Sequence, residues 1–403
     1  MEYIYNSKAS DSNYKWAVLL PLVFVIIMEF LVDNSIGRTL SIAALAFAYG
    51  YSILSQKVFG KISSWLVLCV VSVILCLAGS FFTHTEYSQL YGIQAFMILF
   101  LLVNITDNLE PFQNDVSMYD VIYYVIILFT FVNSIMCYVH GGTEAVVMML
   151  GDGNLTSVWW LICLMLSIKR SNKIGILCCL AYVVLINESR GFLLSLAFLI
   201  LFYMVKKFLP KVTDLILNIN FFYLFIILTV LMIAFSFFWV FVVSANGTAG
   251  YHESLNDGSN RLRFIANVNA INHLRDTDNT LFWGVGDGIY NYLGISGETY
   301  ASHTKMLGVR IVQPHNSIIN MMLRVGLVPA IIYMFCLSKL LSKLNNIDNI
   351  EYIFSYIISA MFLPVLFSSG WLITWIIVLL IPRKVIKNRK KIKWGNKIIW
   401  GKQ

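Results

Sequence analysis

The stretch Arg310–Phe335, RIVQPHNSIINMMLRVGLVPAIIYMF, joins a polar run to an apolar one at Pro314-His315-Asn316. From Asn316 onward the chain is apolar over roughly 20 positions, the length a helix needs to cross ~30 Å of hydrocarbon. A histidine therefore stands at the lip of a membrane helix. The rest of the chain repeats the apolar half of this pattern. Of 403 residues, 59% are hydrophobic and 12% charged, and the mean hydropathy is +0.75. A soluble fold of this length has no use for so much apolar surface. Reading each apolar run in the same way gives about twelve spans. They lie near residues 16–32, 36–54, 63–83, 87–104, 118–139, 152–168, 173–188, 190–205, 221–244, 316–337, 350–367 and 369–382. The expectation is an all-α polytopic membrane protein, with residues 1–403 forming one membrane domain.

Basic residues set the orientation, because Lys and Arg collect on the cytoplasmic side. With the N-terminus inside, the inner loops hold Lys57 and Lys61, then Lys169, Arg170 and Lys173, then Lys206, Lys207 and Lys211, then Lys339 and Lys343. The basic tail 383–403 comes last and carries much of the net charge of +8. That tail reads as an anchor at an anionic leaflet rather than a nucleic-acid site. One inner loop, TDNLEPFQNDVSM, is acidic and breaks the pattern. The start of the chain, MEYIYNSKASDSNYKW, lacks a short apolar core with a small-residue cleavage site and reads as a retained cytoplasmic tail. Seven cysteines all fall in apolar runs and read as small buried hydrophobes, not as a disulfide or metal framework.

On this topology all six histidines, His84, His140, His252, His273, His303 and His315, face outward. So does the one large hydrophilic segment, about residues 245–314. Polar chemistry is expected on that side. Within the segment, NDGSNRLRFIANVNAINHLRD places Leu262, Ile265, Ala266, Val268, Ile271 and Leu274 at helical spacing. It predicts an amphipathic helix lying on the membrane surface or over the bundle. LFWGVGDGIYNYLG follows, Gly-rich and turn-like.

Charges at the rim of a bilayer are costly, so each is a functional candidate. Arg190, in LINESRGFLLSLAF, opens the eighth span at its outer end, where Asn187 or Ser189 could cap the helix. Free N–H groups there attract anions, and an arginine adds a fork suited to phosphate. The plainer reading is an arginine that snorkels to water. Arg261 and Arg263 open the loop helix and could clamp the same anion, or could simply be solvated. His315 could take a proton from a hydroxyl, since a pKa near ~6.5 suits a base at neutral pH. The plainer alternative is a histidine that hydrogen-bonds backbone where the helix begins. Asn316 beside it could orient the ring or a substrate. Arg324 lies about 13 Å deeper at ~1.5 Å per residue, on the opposite face, with Glu29 of the first span as one conceivable partner.

Other patterns carry less. The glycines of GVGDG, Gly284, Gly286 and Gly288, lack the βαβ context of a nucleotide site. Asp276-Thr277-Asp278 has DxD spacing but no neighbouring ligands. Asn154-Leu155-Thr156 and Asn246-Gly247-Thr248 fit a glycosylation pattern common by chance.

Three segments together resemble the bacterial O-antigen ligase and O-antigen polymerase superfamily. SRGFLLSLAF is similar to its Ser-Arg-Gly span. RLRFIANVNAI followed by LFWGVGDGIY is similar to its arginine-led loop helix and Gly-x-Gly turn. PHNSIINMMLRVGLVPA is similar to its Pro-His-Asn opening of a span. The resemblance covers about residues 185–335, and the first half shares only its span count. The chain departs from the family at Arg324, where an acidic residue is frequent, and at Pro329, where glycine is.

What the resemblance implies is a metal-independent, cofactor-free glycosyltransferase of the bacterial inner membrane, with both termini cytoplasmic. It would use undecaprenyl-diphosphate-linked glycans, with a second lipid-linked glycan or lipid A-core as acceptor and a chain-length regulator as a conceivable partner. Catalysis would fall to His315, Arg190 and Arg261, and substrate binding to Arg263, Asn316, Gly284, Gly286 and Arg310. Polymerase is the favoured activity and ligase the alternative. A twelve-span transporter or flippase is the rival of another class, though no internal repeat of the kind such proteins show is visible.

Overall fold

A computed structural model of the chain describes residues 16–17, 19–28, 35–54, 64–82, 89–107, 116–139, 153–185, 190–239, 258–276, 282–286, 314–364, 366–368, 370–381, 393–394 and 397–398. Glu29, Arg310, most of the segment 245–314 and most of the tail 383–403 lie outside the described residues, as do His84, His140, His252, His303 and the Asn246 sequon.

Helices fall on all of the expected apolar runs, and one run, 316–337, is divided between two of them. In chain order these are α1 (Leu19–Met28), α2 (Ser35–Leu54), α3 (Ser64–Phe82), α4 (Leu90–Asp107), α5 (Val116–Val139), α6 (Gly153–Lys169), α7 (Lys173–Leu185) and α8 (Arg190–Phe208). Then come a short α9 (Pro210–Leu217), α10 (Phe221–Phe238), α11 (Gly258–Asp276), α12 (Ser317–Val325), α13 (Leu327–Leu344), α14 (Ile350–Phe362) and α15 (Gly370–Leu380). Lys393–Trp394 and Lys397–Ile398 pair as a two-residue antiparallel ribbon. Among the described residues, three helices are long and apolar enough to cross a membrane: α8, α10 and α13.

Burial sorts the helices into a centre and a rim. α4 packs against α2, α3, α12, α13 and α15, and Ala95, Phe96, Ile98, Leu99, Leu101 and Leu102 are fully buried. A helix apolar on all sides belongs inside. α15 is buried along its whole length. By contrast, only 17% of α8 and 22% of α10 is buried. Their outer faces show Ile200, Leu201, Tyr223, Ile226, Ile227, Val230 and Leu231 to the surroundings. Exposed apolar surface on this scale is adverse in water and suited to hydrocarbon, so the rim reads as lipid-facing and the molecule as a helical membrane protein. Cys76, Cys163, Cys179 and Cys336 are buried as expected, whereas Cys178 is exposed.

One expectation is corrected. The run 316–337 is two helices, α12 and α13, broken at Gly326, whose φ is +93°. The break is filled by the turn 282–286. Val285 N donates to Leu323 O at 2.8 Å, and Gln89 Nε2 donates to Trp283 O at 3.0 Å. The two backbones meet through glycines. A Cβ on Gly284, itself at φ +61°, would lie 2.5 Å from the carbonyl carbon of Arg324 and 2.5 Å from Gly326 N. A Cβ on Gly326 would lie 2.6 Å from the carbonyl carbon of Phe282. In a helical membrane protein an interrupted backbone is tolerated where protein covers it, and here the turn does so.

Polar side chains fix the two ends of the bundle. At one end the buried Lys169 Nζ donates to Asn349 Oδ1 (2.6 Å) and Ile381 O (3.1 Å), at the carbonyl end of α15 where a cation is favoured. Nearby, Lys206 forms an ion pair with Glu351 at 2.5 Å, and Arg170 pairs with Asp120. α8 and α14 run antiparallel, since Lys206 meets Glu351 while Ser195 Oγ meets Ser359 Oγ at 2.6 Å. The far end of α14, Phe362, therefore lies at the pole opposite these lysines.

Candidate functional site

That opposite pole holds a cavity of about 230 Å³, lined from four parts of the chain. α10 contributes Met232, Phe235 and Trp239 at its C-terminal end. α11 contributes Arg263, Phe264 and Asn267, α14 contributes Phe362, and the turn before α12 contributes His315.

α11 presents these groups because 263, 267, 270, 271 and 274 fall on one helical face. Below the cavity that face buries Ala270 against Val285, Ile319 and Leu323, with Ile271 and Leu274 packed alongside. Of the two placements open to the loop helix, the structure shows the one over the bundle, packed on α10 and α12. Phe264 meets Phe235 edge-on at 5.1 Å and Trp239 at 5.4 Å. These rings form one aromatic wall; Arg263, Asn267 and His315 form the polar side.

His315 is held in place by the two residues after it. Asn316 is fully buried and caps α12: its Oδ1 accepts from Ile318 N (2.9 Å) and Ile319 N (3.0 Å), and its Nδ2 donates to Met361 O (3.1 Å). Ser317 Oγ donates to Leu363 O at 2.6 Å. The Asn316 carboxamide is thus engaged within the protein, which makes it a residue that positions His315. The imidazole is 8% exposed, and its Nδ1 has no hydrogen-bond partner among the described residues. Burial first, and the Arg263 charge second, lower its pKa from 6.5 to about 3. The ring is neutral at physiological pH, able to accept a proton, but a weaker base than its ordinary value suggests.

The remaining sequence candidates divide. Arg263 and His315 come together. Arg190 is the first residue of α8, exposed, and the antiparallel register places it at the same pole as Phe362. Arg261 lies two residues before the first cavity-lining residue of α11, Arg263, and its side chain is outside the described residues, as is all of Arg310. Gly284 is accounted for by the backbone approach at the helix break, and Gly286, at φ +57°, belongs to the same turn. Arg324 faces away from His315, as its helical position implies. It is 1% exposed, with its guanidinium over the Tyr91 ring at 4.1 Å and its Nε donating to Asn320 Oδ1 at 3.0 Å. No group of three or more His, Cys, Asp or Glu stands together among the described residues.

Sequence reasoning missed Asn267 and the aromatic wall. The aromatic signal was present in FSFFWVF, but such a run at a span end reads equally as an interfacial belt. Three asparagines in ANVNAIN, poor formers of a helix interior, were the trace of Asn267. Compared with known proteins, the chain matches no family model, no curated protein and no solved structure.

Proposed function

We propose that the chain is a glycan polymerase of the bacterial inner membrane, crossing it about twelve times with both termini in the cytoplasm. It joins polyprenyl-diphosphate-linked repeat units on the outer face. The observation that carries the reading is the meeting of Arg263 and His315 in one cavity beside lipid-facing α10, at the pole opposite the buried lysines. A lipid-borne donor reaches such a cavity from the bilayer and a sugar acceptor reaches it from water.

The reaction needs a clamp for the departing diphosphate and a base for the attacking hydroxyl. The acceptor hydroxyl oxygen bonds to the donor's anomeric carbon, with inversion. The bond from that carbon to the diphosphate oxygen breaks, and its electron pair leaves with the diphosphate. Arg263, with Arg261 in the same helix and Arg190 at the same pole, offsets the growing negative charge, where a water-poor site magnifies each contact. His315 takes the hydroxyl proton. A diphosphate seated on Arg263 also counters the guanidinium charge that weakens the imidazole, so the base strengthens when substrate is bound. No residue in this scheme calls for a metal.

The test is a lipopolysaccharide gel from the native bacterium with the gene deleted and restored on a plasmid. Core bearing a single repeat unit supports the polymerase. Bare core, with long glycan still on its carrier, would assign the ligase reaction instead. An unchanged profile of both lipopolysaccharide and other surface polysaccharide overturns the reading.

A further inference from the structure

The cavity is amphipathic in a particular way. Phe235, Trp239 and Phe264 give an apolar aromatic wall of mutually tilted rings, and three polar side chains stand opposite. Two of these, His315 and Asn267, hold buried polar atoms with no hydrogen-bond partner among the described residues. His315 Nδ1 is one. The other belongs to Asn267, which is 1% exposed: its Nδ2 bonds Ser236 Oγ at 3.2 Å, and its Oδ1 has no partner among the described residues. Exchanging the amide's N and O leaves the same situation, since one end meets Ser236 and the other has no partner among the described residues. A buried polar atom without a partner is costly and usually marks a place where a ligand completes the bonding.

Size narrows the ligand. At about 230 Å³ the cavity falls below the ~300–1,000 Å³ of sites for drug-sized molecules. It suits one ring, not an oligosaccharide and not a folded lipid tail. A pyranose has an apolar C–H face and hydroxyls around its edge, the pairing of surfaces that this cavity offers.

Resting on the transferase reading, we infer that the cavity is the subsite for a single sugar ring of the substrate glycan. The ring lies on Phe264 and Trp239. Asn267 hydrogen-bonds one ring hydroxyl, and His315 receives the neighbouring hydroxyl that attacks. Asn267 is thereby a specificity-determining residue, selecting the presence and direction of that hydroxyl. It takes no part in the proton transfer.

The experiment uses membranes containing the full chain, with lipid-linked repeat unit extracted from the deletion strain as substrate, and follows initial rate against its concentration. Asn267→Ala should raise KM roughly threefold to tenfold, the worth of one hydrogen bond, with kcat changed far less. His315→Ala should instead depress kcat. Thermal unfolding of both variants separates packing from contact, because a merely structural Asn267 would lower the unfolding temperature and kcat together. If Asn267→Ala keeps the wild-type KM while His315→Ala is inactive, the sugar subsite is overturned and the transferase reading stands. If wild-type membranes do not extend the extracted glycan, the transferase reading fails and the subsite fails with it.

Discussion

His315 carries the sharpest consequences at the scale of single residues. Its folded pKa of about 3 lies below the ~6.5 of an unfolded histidine. As pH falls through ~6.5 the unfolded chain gains a proton that the folded ring refuses until about pH 3, so stability is lost across that window. Wild-type protein in detergent should therefore lose more of its unfolding temperature between pH 7.5 and pH 5 than His315→Gln does; equal acid sensitivity would refute the buried neutral imidazole. Gly284 supplies a second prediction. Gly284→Ala adds a Cβ 2.5 Å from backbone at positive φ, so it should lower stability by about 1–3 kcal/mol, readable as a fall in unfolding temperature. His315, Arg190 and Arg263 were legible as candidates because an ionisable side chain at a bilayer rim is costly. Gly284 was legible only as a member of a Gly-rich turn, since its closest neighbours, Arg324 and Gly326, lie about forty residues away in sequence. Asn267 needed the fold outright, because nothing in one sequence says which face of α11 meets His315.

Among the elements, the helices were readable and one join was not. Apolar runs of span length place α2 to α8 and α10 within a few residues, because hydrocarbon imposes the length and internal hydrogen bonding imposes the helix. The break between α12 and α13 escaped because LRVGLVPA stays apolar on both sides of the glycine apart from Arg324, and hydropathy does not register a change in φ. What makes the break is tertiary: the turn 282–286 supplies Val285 N to Leu323 O and covers the interrupted backbone. The opposite pole is held by Lys169, whose ammonium ties α6 to Asn349 and the end of α15. Lys169→Ala strands those buried acceptors at roughly 1–3 kcal/mol apiece. Its unfolding temperature should fall well below wild type, and below that of Lys339→Ala, whose side chain is exposed. Equal stability of the two variants would contradict the buried tie.

For the molecule as a whole, the two poles and the apolar rim belong together. Lysines and an ion pair sit at one end, the cavity at the other, and weakly buried α8 and α10 lie along the side. If that side faces lipid, an acidic residue at Ile227, which is 56% exposed on α10, costs about 2.5–3.5 kcal/mol near mid-bilayer. Ile227→Asp should then accumulate poorly in membranes while Ile227→Leu accumulates normally; normal accumulation of both would place that face away from lipid. The helical membrane character was legible from composition alone, whereas the convergence of α10, α11, α14 and the turn at His315 was not. It depends on contacts between segments far apart in sequence, and periodicity, which finds α11, does not say what α11 packs against. The most direct measurement of the central claim is turnover by the purified full chain in proteoliposomes, supplied with lipid-linked repeat unit extracted from the deletion strain. Wild type should release polyprenyl diphosphate and lengthen the glycan, and His315→Ala should be slower by about 10²–10⁴-fold, the usual contribution of a general base. An inert wild-type protein, or an alanine variant as fast as wild type, would contradict it.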